Sequence, residues 1–315
     1  MMKKGENRIL ILTGPTCVGK TGVSLLIAEY LCTEIISADS MQIYRGMDIG
    51  TAKPSYDERM RVTHHMIDIV EPSERYSAGR YIDDVIPIIK TLHDKGRIPL
   101  VVGGTGLYIR AMTRGIFEAP SADPMLREYL KELEESSPGI LYEKLQELDP
   151  DKASRIKPGD LRRIIRALEV ILKTGSPMSV LERKFTKPLP YDFIKIGLTR
   201  QRRELYRMIE ERVDEMFEQG LVEEVKRLLD KNPSETPMQA IGYKEVIGYL
   251  RGEQSLEETK HLIKKATKRY AKRQFTWFRK EPDIQWVDIT GMRDERKIFE
   301  KVLKETTLKE LPILK

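Results

Sequence analysis

A glycine-rich segment near the start of the chain has the residue types and spacing of a phosphate-binding loop. Residues 14–21 read GPTCVGKT and fit the pattern G-x-x-x-x-G-K-[ST], with both glycines, the lysine and the hydroxyl in place. Lys20 adds positive charge to a site built mainly from backbone amides. The pattern predicts a bound diphosphate or triphosphate and leaves the reaction open. The residues of this candidate diphosphate site are Gly14, Pro15, Thr16, Cys17, Val18, Gly19, Lys20 and Thr21.

The segments that flank this loop support that interpretation. Residues 9–12 form a short apolar run that suits a buried strand, and residues 21–31 carry apolar side chains at helical spacing. A strand, a glycine loop and a helix N-terminus together direct N–H groups and the helix dipole towards an anion. A chance match in an ordinary turn is therefore the weaker interpretation.

A carboxylate follows the next predicted strand. Residues 35–38 suit a short strand, and Asp39 stands at its carboxyl end. Because ligands of open α/β sheets bind at the carboxyl ends of strands, we expect Asp39 to face the same crevice as the phosphate loop. There it can take a proton, orient a substrate amine or hold magnesium through water. Capping of the next turn is an equally good interpretation from position alone.

Three further polar positions keep two interpretations each. Thr105 lies in the glycine turn that follows the predicted strand at residues 97–102, where it donates to a ligand phosphate or caps the next helix. Lys53, in a glycine loop, neutralises a phosphate or is solvated. His64 and His65 resemble a metal cluster, but neighbours on a strand point to opposite faces, so packing or capping is favoured.

Composition and charge bound the class of protein. The chain has 315 residues, 33% charged and 40% hydrophobic, which is ordinary for a soluble globular protein of more than one domain. No apolar run is long enough to span a membrane. The polar N-terminus predicts no signal peptide, and the two cysteines are expected to be reduced thiols. These features favour a cytoplasmic protein.

Two basic helices are candidates for contact with nucleic acid. The predicted helix at residues 160–174 carries Arg162, Arg163 and Arg166, which bind phosphates or form a solvated face; charge alone slightly favours the second. Residues 261–280 hold eight Lys or Arg, four aromatic residues and no acid. This pattern favours binding of a phosphate backbone with stacking of a base, over aromatics that pack on the core beneath solvated charges.

The order of these elements predicts an α/β fold. A core like that of the P-loop NTPases, with a mostly parallel sheet flanked by helices, is interrupted by an all-helical insertion. The predicted boundaries are residues 1–119 for the first part of the core, 120–192 for the insertion and 193–315 for the second part of the core with basic C-terminal helices. Within the insertion, helices are expected at residues 125–135, 139–147 and 160–174.

Nine segments taken in order resemble the tRNA dimethylallyltransferases, also known as tRNA isopentenyltransferases. That family transfers a five-carbon prenyl group to N6 of the adenosine immediately 3′ of the anticodon, position 37 of tRNA. The phosphate loop alone is common to many proteins, whereas the segments from Ala38 and Val102 are highly specific. The segments are GPTCVGKT from Gly14, ADSMQIYRGMDIGTAKP from Ala38, HHMID from His64, YSAGRY from Tyr76, VGGTGLYIRA from Val102, ADP from Ala122, DLRRIIRALEV from Asp160, QAIGYKE from Gln239 and AKRQFTWFR from Ala271.

The resemblance implies a role for each matching residue. The phosphate loop would hold the diphosphate of dimethylallyl diphosphate with Mg²⁺ near Thr21, and Asp39 would be the general base. The implied catalytic residues are Asp39, Lys20, Thr21 and Thr105. The insertion would meet the anticodon stem-loop of the tRNA, and the protein would act as a monomer. The residues implied to contact tRNA are Asp39, Ser40, Met41, Gln42, Thr105, Arg127, Arg162, Arg163, Arg166, Lys272 and Arg273.

Two other functions compete with this one. A small-molecule or nucleotide kinase shares the phosphate loop but leaves the basic, aromatic C-terminal helix unexplained. A non-catalytic RNA-binding protein explains that helix but not a loop that keeps Lys20 and Thr21 with Asp39 facing the same crevice.

Overall fold

A single parallel sheet organises the larger part of the molecule. The computed structural model describes residues 7–312; the N-terminal residues on which the absence of a signal peptide was predicted begin outside this range. The six strands join in the order β3-β2-β4-β1-β5-β6, and every pair of neighbours runs parallel. The predicted α/β core is thus confirmed. The strands are β1 Arg8–Thr13, β2 Ile35–Ser37, β3 His64–His65, β4 Leu100–Val102, β5 Asp192–Thr199 and β6 Ile284–Asp288.

Buried apolar runs explain why these segments form a parallel sheet. Ile9 to Leu12 of β1 are each 0% exposed, because helices cover both faces of the sheet. β1 lies at the centre, with β4 on one side and β5 on the other. The loops that follow β1, β2 and β4 therefore emerge side by side, at the edge where open α/β sheets bind ligands.

The helices of the described residues agree closely with the periodicity of the sequence. Gln219 and Gly220 separate two of these helices, with Gly220 in the left-handed region at φ 95°. Within residues 7–312, no helix combines the length and apolar character needed to cross a membrane. The helices are α1 Lys20–Tyr30, α2 Tyr56–Arg61, α3 Ala78–Asp94, α4 Gly106–Arg114, α5 Pro124–Ser136, α6 Ile140–Leu148, α7 Pro150–Ala153, α8 Leu161–Thr174, α9 Met178–Phe185, α10 Arg202–Glu218, α11 Leu221–Leu229, α12 Glu235–Met238, α13 Tyr243–Leu250, α14 Leu256–Phe278, α15 Glu295–Glu305, and a 3₁₀ turn at Thr307–Glu310.

The chain divides into two compact units. The first unit contains the residues up to Ile109 together with those from Pro190 onwards, and the second unit is Arg110–Leu189. The insertion predicted from the sequence, residues 120–192, overlaps the second unit. The three helices predicted there are confirmed as α5, α6 and α8 to within a residue or two at each end. A core of its own, including Leu141, Leu145 and Leu168, holds the second unit together.

Candidate active site

Three loops meet at the carboxyl edge of the sheet. They follow β1, β2 and β4, which are neighbours in the order β2-β4-β1. The Gly103 amide donates to the Leu12 carbonyl at 3.2 Å, and the Thr105 amide donates to the Ala38 carbonyl at 3.1 Å. A Cβ at Gly103 would lie 2.2 Å from the Ala38 oxygen, so only glycine permits this approach. The predicted proximity of the phosphate loop, Asp39 and Thr105 follows from these contacts.

The phosphate loop depends on unusual backbone angles. Gly14 has φ 140°, and a Cβ there would lie 2.5 Å from the Leu198 carbonyl oxygen; Gly19 has φ 109°. Cys17 adopts φ 62°, a left-handed conformation that is uncommon for a non-glycine residue. The Nε of Arg200, a residue only 5% exposed, donates to the Val18 carbonyl at 2.9 Å. This arginine, which sequence reasoning missed, ties the loop to the end of β5.

Lys20 is folded back onto its own loop. Its Nζ donates to the carbonyls of Gly14 at 3.0 Å and Pro15 at 2.8 Å. Burial lowers the pKa of this ammonium from 10.5 to about 8, and the negative charge of Asp39 works in the opposite direction. A diphosphate placed against the loop would supply the negative counter-charge that stabilises this buried ammonium.

A second cation at the loop was not found from the sequence. Arg212 of α10 places Nη1 at 3.2 Å from the Cys17 sulfur and 3.4 Å from the Thr16 hydroxyl. Its positive charge also lowers the pKa of Lys20. The one sequence signal is position, because Arg212 adjoins Val213 on the buried side of the amphipathic helix α10. Two cations from distant parts of the chain thus face one anion site.

Asp39 caps the next turn, which is one of the two interpretations that its position allowed. Its Oδ1 accepts hydrogen bonds from the amides of Met41 at 2.9 Å and Gln42 at 3.4 Å, which caps the turn. Among residues 7–312, no hydrogen bond reaches its other oxygen, Oδ2. Thr105 holds the same turn, since its hydroxyl accepts from the Ser40 amide at 3.0 Å. One carboxylate oxygen therefore fixes the geometry while the other can meet a substrate.

Tyr270 of α14 lies within reach of the charge of Asp39. Burial raises the pKa of its hydroxyl, the charge of Asp39 adds to that rise, and hydrogen bonding to Thr105 and Gln274 opposes it. Burial also raises the pKa of Tyr108, again with a contribution from Asp39. Two phenols thus lie close enough to Asp39 for its charge to raise their pKa.

The side chain of Gln42 is occupied within the protein. Its Oε1 accepts from the Ser37 hydroxyl at 3.2 Å, and its Nε2 donates to the carbonyls of Thr51 at 3.3 Å and Ala52 at 3.2 Å. Met41 packs partly buried against a neighbouring hydrophobic cluster. Gln42 thus connects the turn of Asp39 to the glycine loop at residues 46–54.

That glycine loop is anchored from its other side by a buried carboxylate. Glu224 of α11 is 3% exposed, and its oxygens accept from the amides of Asp48, Ile49 and Gly50 at 3.0, 2.8 and 3.1 Å. The Tyr243 hydroxyl donates a fourth hydrogen bond at 2.7 Å. The loop is therefore held by three hydrogen bonds to one side chain, which Tyr243 in turn holds in place.

Lys53 and the two histidines have structural roles. The Lys53 side chain is 2% exposed and pairs with Asp48 at 2.5 Å and Asp68 at 2.6 Å, so neither phosphate binding nor solvation describes it. His64 bonds to the Val62 carbonyl and His65 to Glu34. The described part of the chain holds no group of three or more His, Cys, Asp or Glu suited to a metal. Both histidines thus bond within the protein, as the packing or capping interpretation predicts.

Helix α14 exposes part of its basic residues and buries part of its aromatic ones. Lys272 and Arg273 are exposed, as the RNA-binding hypothesis requires. Phe278, however, is 0% exposed, and Phe275 packs against the main core. Phe278 is therefore not available to stack on a base, because it packs in the protein interior.

The arginines of the second unit fall into two kinds. Arg127 and Arg166 both pair with Glu169, a 0% exposed carboxylate, at 2.7 and 2.5 Å. Burial alone would raise the pKa of Glu169, but hydrogen bonds from Arg127, the Asp123 amide and Arg166 lower it to about 2. Arg162 and Arg163 are instead exposed on α8. The first pair stabilises the unit, and the second pair is open to a ligand.

Known proteins similar to this chain share one activity. A family model described as IPP transferase matches residues 42–281, and one described as isopentenyl transferase matches residues 7–74. A protein of Thermodesulfovibrio yellowstonii described as tRNA dimethylallyltransferase is 56% identical over 94% of this chain and 96% of its own length. One of Thermotoga maritima with the same description is 49% identical over 94% of this chain and 97% of its own.

Solved structures agree with these relatives. A tRNA isopentenylpyrophosphate transferase of Bacillus halodurans is 42% identical, with a TM-score of 0.70 over 96% of this chain and 97% of its own. A eukaryotic dimethylallyltransferase acting on tRNA is 29% identical, with a TM-score of 0.78 over 98% of this chain and 81% of its own.

Proposed function

The chain belongs to the tRNA dimethylallyltransferases, enzymes that transfer a prenyl group to tRNA, and we propose that the three loops at the edge of its sheet perform this transfer. The donor is dimethylallyl diphosphate, and the acceptor is N6 of the adenosine at position 37, next to the anticodon. The observation that carries the proposal is the convergence of Lys20 and Arg212 on one loop, close enough to Asp39 for its charge to act on Lys20.

The phosphate loop holds the leaving group. As the bond between C1 and oxygen breaks, negative charge grows on the diphosphate, and loop amides with Lys20 and Arg212 stabilise it. Lys20 exchanges its two carbonyl partners for phosphate oxygens, whose negative charge favours its protonated form. This assistance lowers the barrier most at the point where the charge is largest.

A magnesium ion fits the donors present. Thr21 is exposed at the start of α1 and offers one hydroxyl oxygen. Mg²⁺ commonly takes one or two protein oxygens and completes its shell with phosphate oxygens and water, so a site poor in carboxylates suits it. When bound, the ion adds positive charge against the departing diphosphate.

Asp39 activates the acceptor. The lone pair of the adenine amine is delocalised into the ring, which makes it a poor nucleophile. As the N6–C1 bond forms, a proton leaves N6 and goes to Oδ2 of Asp39. Thr105 and Ser40 keep this carboxylate in place through the turn that they share. Such a general base typically contributes about 10²–10⁴-fold to the rate.

The target base must leave its stack to reach this site. Ser40, Met41 and Gln42 form the turn that meets it, Thr105 lines its path, and the exposed Lys272 and Arg273 hold neighbouring phosphates. In the second unit, Arg162 and Arg163 meet the anticodon stem-loop directly. Arg127 and Arg166 are ion-paired to Glu169 and reach RNA only with their exposed edges. We further propose that the enzyme acts as a monomer in the cytoplasm, where its tRNA substrate is.

A transfer assay tests the proposal. Unmodified tRNA, Mg²⁺ and radiolabelled dimethylallyl diphosphate are mixed with enzyme, and label in acid-insoluble RNA is counted. Lys20→Ala and Asp39→Ala should each reduce transfer at least about 100-fold. Lys90→Ala, an exposed lysine of α3, should leave it unchanged. Phosphoryl transfer from ATP without prenyl transfer would instead support the kinase alternative.

A further inference from the structure

One buried amide connects the two halves of the site. Gln274, near the end of α14, is 6% exposed. Its Oε1 accepts from the Thr16 amide at 2.8 Å, and its Nε2 donates to the Gly104 carbonyl at 2.9 Å. Thr16 belongs to the phosphate loop, and Gly104 immediately precedes Thr105. A single side chain thus bonds to both loops beyond the ends of their strands.

From this geometry we infer that Gln274 is a positioning residue that sets the distance between the leaving diphosphate and the adenine amine. The inference rests on the proposed function. There the phosphate loop holds the leaving diphosphate, and the Asp39 turn, which Thr105 supports, meets the adenine amine. Reacting atoms must approach to about 3–3.5 Å in line, and a misplacement near 1 Å costs about 100-fold in rate. A rigid link between the two loops would hold the reacting atoms at this distance.

The surroundings of Gln274 fit a close bridge. A Cβ at Gly104 would lie 2.3 Å from Nε2 of Gln274, so the amide reaches the loop only because residue 104 is glycine. Both polar atoms of the amide have partners, which fixes its orientation. The Thr16 N–H is also committed to the bridge, so Gln274 decides which amides of the loop remain for the diphosphate.

The bridge belongs to the helix proposed to bind tRNA. Lys272 and Arg273 precede Gln274 in the same turn and are exposed. One helix therefore touches the RNA with its outer face and both catalytic loops with its inner face. A helix seated on the tRNA holds the two loops in register while the base enters.

Two variants separate the bridge from its packing. Gln274→Met keeps the length of the side chain and loses both hydrogen bonds. Gln274→Asn keeps the amide but is one methylene too short to reach both loops. Gln219→Met is the matched control, because Gln219 is an exposed glutamine at the C-terminal end of α10 and has no part in the proposed site.

We expect kcat for prenyl transfer to fall about 10–100-fold in both Gln274 variants, as a displacement of a fraction of an ångström to one ångström would cause. KM for each substrate and the Kd for pyrophosphate with Mg²⁺ should change less than about threefold, because each half-site stays intact. Circular dichroism confirms the fold of each variant, and the Asn variant serves if the Met variant does not fold.

Two results would overturn the inference. An unchanged kcat in folded Gln274→Met would show that the bridge sets no catalytic distance. A loss confined to KM for dimethylallyl diphosphate, matched by weaker pyrophosphate binding, would show that Gln274 only supports the phosphate loop. Failure of the proposed function is distinguishable, since wild-type enzyme would then transfer no label at all.

Discussion

A substitution of Glu224 tests how the turn at Ser40, Met41 and Gln42, which is proposed to meet the target base, is supported. In Glu224→Gln the charge is lost and one of two acceptor oxygens becomes an NH₂ group. The best orientation of this amide keeps the Asp48 and Ile49 amides on its oxygen and donates from nitrogen to the Tyr243 oxygen. The Gly50 amide is then left without a partner. An unsatisfied buried donor costs about 1–3 kcal/mol of unfolding free energy.

The assay follows from where the tryptophans lie. The chain has two, Trp277 in α14 and Trp286 in β6, and both belong to the first unit together with Glu224. Urea unfolding followed by tryptophan fluorescence therefore reports this unit. Glu223→Gln is the control, because Glu223 is the exposed neighbour of Glu224 on the same helix. We expect the midpoint to fall in Glu224→Gln alone.

Activity should change in a defined direction as well. The loop that Glu224 anchors presents the carbonyls of Thr51 and Ala52 to Gln42, so its loosening displaces the turn that meets the base. KM for tRNA should rise while the affinity for pyrophosphate stays the same. An unfolding midpoint and a tRNA KM equal to those of wild type would refute the role of Glu224 as anchor.

Three further expectations concern charged groups. Because the pKa of Lys20 is about 8 in the free enzyme, affinity for pyrophosphate with Mg²⁺ should weaken as pH rises through 8. Titration calorimetry should show that this pH-dependent loss of affinity is absent in Lys20→Met. The pKa of Glu169 is lowered from 4.5 to about 2, so its stabilising effect is full above pH 4.5 and is lost as pH falls towards 2. Thermal unfolding followed by circular dichroism should therefore show that the melting temperature falls less between pH 5 and pH 3 in Glu169→Gln than in the wild-type protein. Affinity for tRNA should fall with salt, and Lys272→Ala should reduce the slope of log K against log salt by about one in filter-binding titrations.

Local patterns in the sequence predict the parts of the site that one strand and its loop create. The phosphate loop and Asp39 were found because each follows directly from a buried strand, and parallel strands present their carboxyl ends together. Arg212 and Gln274 could not be found in this way. They contact Thr16 from about 200 and about 260 residues further along the chain, and only the packing of α10 and α14 brings them there.

Charge type alone also does not show which partner a cation has. Lys53, Arg127 and Arg166 carry the positive charge of a phosphate ligand, yet each pairs with a carboxylate of the protein. The carboxylate that Arg127 and Arg166 share, Glu169, is fully buried. The sequence shows a cation but not the counter-charge that folding places beside it. The aromatic residues of α14 show a related limit, because their spacing in the sequence does not say which of them, such as Phe278, are buried.

The split of the first unit has a consequence for its synthesis. The central strand β1 pairs with β5 along its whole length, from Arg8 with Asp192 to Thr13 with Gly197. At about 5–20 residues per second on the ribosome, the roughly 90 residues between β4 and β5 take several seconds to emerge. For that time β1 presents an open edge, the kind that invites aggregation. The contiguous second unit can meanwhile fold on its own contacts, so the nascent chain completes its inserted part before the part that contains the start of the chain.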